Sequence, residues 1–308
     1  NTAAANGVEI RYIAEASNAN IGVGNLDSSI PVHYRMDGEG SGMHNKIVIA
    51  DADYPASAFV LTGSTNMTTG NLNTDKNNVI VLEDQSIARG YRLEFNEMWG
   101  SDGMVPDDSN SKFGPDKSIN TPKKFIIGGS PVELYFSPSD GTTSAIRKTI
   151  ETTDYSMFFA LLAFTRDDLA DAIIAETSFF VTPTGAIEEE NVTGSEFTTL
   201  LDAGVEVYSH QGISGSLHHK YAVVDHVEPV AARHRTDRVA VHLVLAVGGV
   251  PVGVGDADVG GDVVGAVDHG RERPLRLLVD VGAPVEELVV PVGRAVSGKE
   301  IVQLWRRQ

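Results

Sequence analysis

An octet of one form occurs twice in this chain, as His44-Asn45-Lys46-Ile47-Val48-Ile49-Ala50-Asp51 and as His218-His219-Lys220-Tyr221-Ala222-Val223-Val224-Asp225. Each copy sets a histidine two residues before a lysine, at the mouth of a short apolar run. Residues i and i+2 of a β-strand project from one face. His44 and Lys46 are therefore expected to point together, and so are His218 and Lys220. Asp51 and Asp225 fall at odd parity beyond the run, where a carboxylate braces a strand end. The surroundings repeat as well. Leu26-Asp27 lies eighteen and seventeen residues before His44, and Leu201-Asp202 lies seventeen and sixteen before His218. Strand-like segments at 30–35 and 205–210 stand between. Polar strand-edge residues would explain either octet alone, but recurrence in matching surroundings implies a duplicated unit with both octets in the same slot.

The remaining pattern predicts what that unit is made of. Strands are expected over 8–13, 30–35, 47–50, 58–61 and 78–82, and a helix over 87–99 with Ile87, Tyr91, Leu93, Phe95 and Met98 as its apolar contacts. A Gly-rich turn at 37–42 delivers the first octet, and its all-apolar run suits a strand buried on both faces. Residues 101–124 are polar and rich in Gly, Pro, Asp and Ser, and read as an interdomain linker. A second series follows: strand 132–136, helix 143–152, strand 157–164 and helix 166–176. Such alternation implies a mainly parallel sheet flanked by helices. The expected organisation is a first repeat over 1–100, a linker over 101–124 and a second repeat over 125–225. With no initiator Met, the first repeat reads as N-terminally truncated. A strand–turn over 177–185, the counterpart of 7–13, is not evident.

Composition changes abruptly after Asp225. Residues 226–296 contain no Asn, Ser, Ile, Lys, Phe, Tyr, Met, Gln or Trp. Every residue there except Thr236 can be encoded by a codon beginning in G or C, the output expected of a G/C-rich coding sequence translated in a wrong frame. The alternative is a Val/Gly-rich low-complexity β segment. Residues 297–308, with Ile301, Leu304 and Trp305, read as an ordinary C-terminal tail.

The 308 residues, 42% of them hydrophobic, suffice for two cores. The formal charge of −18 repels polyanions at long range. No stable nucleic-acid partner is therefore expected, although a locally basic cleft is compatible with such a field. Without cysteine there is no disulfide, thiol nucleophile or thiolate-bound zinc. No stretch has the apolar length of a transmembrane helix. The compartment stays open, with secreted and periplasmic locations among the options, and a monomer making transient membrane-surface contact is expected.

Two histidines, each beside a lysine, suit attack on a phosphodiester. One neutral imidazole attacks phosphorus while the other, protonated, donates to the leaving oxygen. The lysines neutralise the non-bridging oxygens. The Gly63-Ser64-Thr65-Asn66 loop can add neutral donors. This chemistry requires no metal or cofactor. A zinc site from His44, His218 and His219 is the rival, and it is weak because each lysine would face the cation and no carboxylate or cysteine completes the set.

The paired H-x-K-x-x-x-x-D octets and the downstream Gly63-Ser64-Thr65-Asn66 resemble the phospholipase D superfamily, over residues 7 to 225. The resemblance implies an α/β fold of two pseudo-twofold-related repeats with one active site at their interface, and a route through phosphohistidine. It implies His44 as nucleophile and His218 as general acid, assignments that symmetry leaves reversible. Lys46, Lys220, Ser64 and Asn66 would bind phosphate, and Asp51 and Asp225 would be structural. Ser137-Pro138 resembles the opening of the second repeat. Two departures stand out: no second G-S-x-N follows Asp225, and Asn77 stands where many members carry a glutamate that would orient a histidine. The substrate expected is a phospholipid head group. A nuclease with the same site and an inactive scaffold are the alternatives.

Overall fold

The computed structural model describes residues 1–15, 21–35, 43–179 and 181–225, and beyond them three strands at 242–247, 262–267 and 277–280. The Gly-rich turn at 37–42, the C-terminal tail and most of the compositionally odd segment lie outside the described residues. The strands of the first half are β1 (Tyr12–Glu15), β2 (Val32–Arg35), β3 (Val48–Ala50), β4 (Phe59–Gly63) and β5 (Asn77–Leu82). Its helices are α1 (Thr2–Ala5), α2 (Ile21–Gly24), α3 (Thr69–Asn73) and α4 (Gln85–Trp99). The second half contains β6 (Lys124–Ile127), β7 (Ser130–Tyr135), α5 (Thr142–Ile150), β8 (Met157–Leu161) and α6 (Asp167–Glu176). It continues with β9 (Thr184–Ile187), α7 (Phe197–Asp202), β10 (Glu206–Ser209) and β11 (Lys220–Val224). Then come β12 (His242–Val247), β13 (Asp262–Val267) and β14 (Leu277–Asp280).

Local chemistry explains the clearest elements. Helix α4 starts at Asp84, whose carboxylate accepts from the N–H groups of Ser86 and Ile87. It stops at Gly100, which takes the left-handed conformation at φ 79°. Ile87, Ala88, Tyr91, Met98 and Trp99 are buried along it, whereas Leu93, expected to be a contact, is 45% exposed.

The sheets are mixed, which corrects the expectation of a mainly parallel arrangement. β1–β2, β8–β9 and β9–β10 are parallel. Among the described residues every other pairing of named strands is antiparallel, in an eight-stranded sheet ordered β10-β9-β8-β11-β12-β13-β7-β6 and a four-stranded sheet ordered β14-β5-β4-β3. The helices that parallel crossovers require lie only between some strands. β3 to β4 and β4 to β5 are joined by turns and the short α3, which suit antiparallel neighbours. Val48 of β3 is 43% exposed, so the first octet's run is not buried on both faces, and β3 ends its sheet among the described residues. In the compositionally odd region, β12 pairs with β11, β13 with β7 and β14 with β5.

Residues 101–124 are not a loose tether. Lys117 forms a buried ion pair with Glu94 of α4, Lys112 N donates to Glu97 O, and Ser111 Oγ lies 2.9 Å from His33 Nε2. One hydrophobic cluster unites Val60, Ile80, Ile87 and Tyr91 of the first half with Phe125, Val132, Leu134 and Phe136 of the second. A second cluster, built on Met157, Phe159, Ile173, Ile187, Leu200 and Val224, belongs to the second half alone.

Candidate active site

The chain approaches each histidine in the same way. β1 and β2 run parallel with Glu15 opposite Arg35 at their ends. Glu15 Oε2 accepts from Met43 N at 2.6 Å, fixing the backbone one residue before His44. In the second half β9 and β10 run parallel, and Glu188 and His210 are the first residues beyond them. Glu188 Oε2 accepts from Leu217 N at 2.9 Å, again one residue before the histidine, and lies 2.5 Å from His210 Nδ1. A carboxylate bonding a backbone N–H is a strong, directional anchor. Each half thus uses one glutamate, at the end of a parallel strand pair, to set where its histidine starts.

The second octet then reaches across to the first half. Lys76 N donates to Ser216 O at 2.7 Å and His218 N to Lys76 O at 2.9 Å. His218 Nδ1 lies 2.8 Å from Ser64 O and 2.9 Å from Asn77 Oδ1. His219 Nδ1 lies 3.3 Å from Asn78 Oδ1, and its ring meets Tyr221 edge-on. Lys220 Nζ lies 3.3 Å from His218 Nε2 and donates to His218 O at 3.1 Å. Lys46 Nζ donates to His44 O at 2.6 Å. The His-x-Lys segments precede β3 and β11 instead of lying within them, yet lysine and histidine still come together as the i, i+2 spacing requires.

Electrostatics tie the two octets into one place. Burial, followed by Lys46 and Lys220, lowers His44 from its ordinary value to about 4. Burial, followed by Lys220 and Lys46, lowers His218 to about 4. Each histidine therefore feels the lysine of the other octet as well as its own. Burial with Lys220 does the same to His219, also to about 4. Burial, then Lys46, lowers Lys220 to about 7 against an opposing pull from Glu189. Burial in turn pushes the Glu189 carboxyl up, partly offset by Lys220. Two like charges sharing a desolvated site favour an anion between them, and a phosphodiester is such an anion.

The loop at 63–66 is built differently from what the sequence suggests. Gly63 sits at φ 147°, and a Cβ there would come within 2.2 Å of Asn78 O, so the close approach of β5 requires glycine. Ser64 is 1% exposed; its hydroxyl donates to Asn78 Oδ1 at 2.8 Å and accepts from Asn78 N at 3.0 Å. The expected Ser64 phosphate donor is therefore committed to the scaffold, and its carbonyl oxygen is what reaches the site. Asn66 is half-buried, with its N–H donating to Asn71 Oδ1 at 2.9 Å.

Asp51 and Asp225 both adopt left-handed backbone, at φ 50° and 58°. Aspartate tolerates this conformation better than most residues, which accounts for its place at the end of each octet. Asp225 does more: its carboxylate accepts from the N–H groups of Asp154, Tyr155 and Ser156. Asp51 is exposed. The sequence reading noted Asn77 only for the missing glutamate, and it missed Glu15, Glu188 and His210. Their one sequence signal is position: each ends or directly follows a short strand, Glu15 in β1, Glu188 after β9 and His210 after β10. Among the described residues no group of three His, Cys, Asp or Glu side chains is arranged to hold a metal ion.

Residues 1–99 match the family model described as "Cardiolipin synthase, PLD-like domain". The mitochondrial cardiolipin hydrolase of Xenopus tropicalis is 30% identical over 116 residues, 36% of this chain and 50% of that protein. The chain thus spans about half the length of the curated relative it matches. Among solved structures, Nuc from Salmonella typhimurium, a phospholipase D family member, is 16% identical over 44% of this chain and 82% of its own, at a TM-score of 0.31. Polyphosphate kinase from Porphyromonas gingivalis aligns over 87% of this chain and 40% of its own, 10% identical at a TM-score of 0.51, a likeness of fold. The family-model match over residues 1–99, the cardiolipin-hydrolase relative and the paired octets together support the phospholipase D superfamily for this chain.

Proposed function

We propose that the chain is a phosphodiesterase of the phospholipase D type that cleaves phospholipid head groups through a phosphohistidine intermediate, with catalysis by His44, His218, Lys46 and Lys220. The observation that carries this reading is the mutual placement of the octets: each histidine lies in the field of both lysines. In the reaction one imidazole Nε2 attacks phosphorus as the bond to the leaving oxygen breaks, and the other imidazole, protonated, supplies the proton to that oxygen. Water then attacks phosphorus, passes its proton to the second imidazole and releases the first. The lysines hold the non-bridging oxygens as charge gathers there. A bound phosphodiester brings the negative charge that lets the second histidine carry its proton. The active site lies where the two repeats meet, over 1–100 and 125–225.

The net charge of −18 favours a lipid over a nucleic-acid polyanion. A nuclease using the same four residues is the second reading, and it accords with a site whose chemistry is blind to what the phosphodiester joins. Phosphatidylcholine vesicles and single-stranded DNA, assayed side by side, separate them. Choline release without DNA cleavage, abolished by His44→Asn, is the expected result. DNA cleavage alone would reverse the substrate assignment. Turnover surviving in His44→Asn would remove the mechanism, and inactivity on both substrates would leave a scaffold.

A further inference from the structure

The two octets are alike in sequence, and the groups that hold the second histidine bear on which one attacks. Asn77 is fully buried, and its amide orientation is set by its own bonds: Nδ2 donates to Asn71 O at 2.8 Å and to Asp75 O at 3.4 Å. A flipped amide would turn its oxygen against two carbonyl oxygens, so Oδ1 must face the imidazole. The second group on His218 Nδ1, the carbonyl of Ser64, is also an acceptor only. Between two acceptors, Nδ1 must carry the hydrogen. The opposite nitrogen, Nε2, faces the Lys220 ammonium at 3.3 Å, a donor, and so presents its lone pair.

Resting on the phosphodiesterase reading above, the geometry points to Asn77 as the positioning residue that holds His218 in its Nδ1–H tautomer, making His218 the nucleophile and leaving His44 as the proton donor. This reverses the roles that the family resemblance suggests. The charges facing His218 are Lys220 and Lys46, which oppose its protonation, and Asp75, which favours it. Asp75 is engaged elsewhere, accepting from Asn71 Nδ2 at 2.6 Å and Ser216 N at 3.1 Å. The groups that bond the ring directly, Asn77 and Ser64, are neutral acceptors. Lys46, Lys220 and Arg35 oppose protonation of His44 and the Glu15 carboxylate favours it; the proton-donor role falls to His44 because the tautomer of His218 commits that ring to attack.

The step balances without a co-reactant. The Nε2 lone pair of His218 forms the N–P bond while the P–O bond to the alcohol breaks, and the His44 imidazolium gives its proton to the departing oxygen. Lys220 transfers its hydrogen bond from Nε2 to a phosphate oxygen as the lone pair is used. Nδ1–H stays in place throughout, donating to Asn77 and Ser64 while the ring carries positive charge. Water attacks phosphorus, its proton returns to His44, and the N–P bond breaks to restore the lone pair.

Three measurements on the full chain test this. Long-range nitrogen–proton NMR of the wild type, at a pH between the histidine and lysine transitions, should show His218 with a protonated Nδ1 and an unprotonated Nε2; the opposite tautomer would overturn the proposal, whatever the activity. With a p-nitrophenyl phosphodiester, whose leaving group needs no proton, His44→Ala should keep the release burst and carry phosphate on His218, and His218→Ala should show neither. Phosphate mapped to His44 in the wild type would overturn the assignment while upholding the phosphodiesterase reading; no turnover of any substrate would instead remove that reading. Asn77→Leu should lower kcat about 100-fold with KM nearly unchanged. Asn77→Asp sets its second oxygen against the Asn71 and Asp75 carbonyls and should be less stable, but its folded fraction should turn over faster than Asn77→Leu and shift the acid limb of the pH profile upward by about one unit or more. An unmoved limb in folded Asn77→Asp would show that Asn77 does not act through His218.

Discussion

The lysine of the second octet makes a pH prediction sharp enough to refute the reasoning behind the site. Lys220 is only 7% exposed and shares its surroundings with Lys46, and together these lower its ammonium to about 7. A lysine meant to neutralise phosphate oxygens is useful only while charged. With an ammonium that titrates at about 7, the charged fraction is about a tenth at pH 8 and about a hundredth at pH 9, by simple titration. For a p-nitrophenyl phosphodiester, kcat/KM should therefore fall about tenfold per pH unit above 7. On the acid side it should fall below about 4, where His218 becomes protonated and its lone pair is lost. Between these limits the profile should be flat. With an alkyl leaving group a proton donor is needed too, and because burial and the lysines lower His44 to about 4, the optimum should move towards acid.

Two substitutions isolate the cause. Lys220→Arg keeps its charge across the whole range, so whatever rate it retains should lose the limb near 7. Lys46→Gln removes the like charge that helps to lower Lys220, so its limb should move to higher pH. The assay is p-nitrophenolate release at subsaturating substrate, from pH 3.5 to 9.5 at constant ionic strength. A wild-type profile flat from pH 6 to 9.5, or a limb near 7 that survives Lys220→Arg, would mean that Lys220 does not carry the charge assigned to it.

Above pH 7, stability should respond to pH in the opposite sense to activity. Lys220 titrates lower folded than unfolded, so the folded state binds fewer protons between about 7 and 10.5, and a melting series should show stability rising over that range while turnover falls. His44, His218 and His219 also titrate low when folded, so the stability they contribute is present above 6.5 and is lost as pH falls from 6.5 through about 4, visible as a falling Tm. Asp225→Ala strands the N–H groups of Asp154, Tyr155 and Ser156 and strains a left-handed residue; urea denaturation should show a loss of ~3–4 kcal/mol, against ~1–2 kcal/mol for exposed Asp51→Ala, which loses only the conformational preference. Gly185→Ala would put a Cβ 2.1 Å from the Phe159 ring and should cost ~1–3 kcal/mol by the same measurement, unless Phe159→Leu is made with it.

What could be read from the sequence was local or repeated. Helix α4 announces itself through the Asp84 cap, the apolar spacing and Gly100. The octets announce themselves by recurring. Strand β9 does not, because Thr184-Gly185-Ala186-Ile187 has little β-forming character and its glycine is there to admit the Phe159 ring from the neighbouring strand. The exposure of Val48 was illegible for a related reason: an apolar run states that a strand exists, and only packing from elsewhere in the chain decides which of its faces is covered. The docking of residues 101–124 depends on Glu94 receiving Lys117 and His33 meeting Ser111, pairings between distant residues that no local pattern encodes. Glu15 and Glu188 are hidden in the same way, since each bonds a backbone N–H nearly thirty residues further on.

The same reasoning explains why duplication in sequence does not give equivalence in chemistry. An octet specifies what its own strand can carry: an imidazole, an ammonium and a left-handed aspartate. It does not specify what faces the imidazole, which comes from elsewhere in the chain. For His218 that environment is supplied by Ser64 and Asn77, residues of the opposite half. A buried amide oxygen and a carbonyl accept the Nδ1 hydrogen, and the Lys220 ammonium faces Nε2, so the ring is held in one tautomer. The motif therefore constrains where the two rings lie, and what faces Nδ1 and Nε2 of His218 sets the tautomer in which that ring acts.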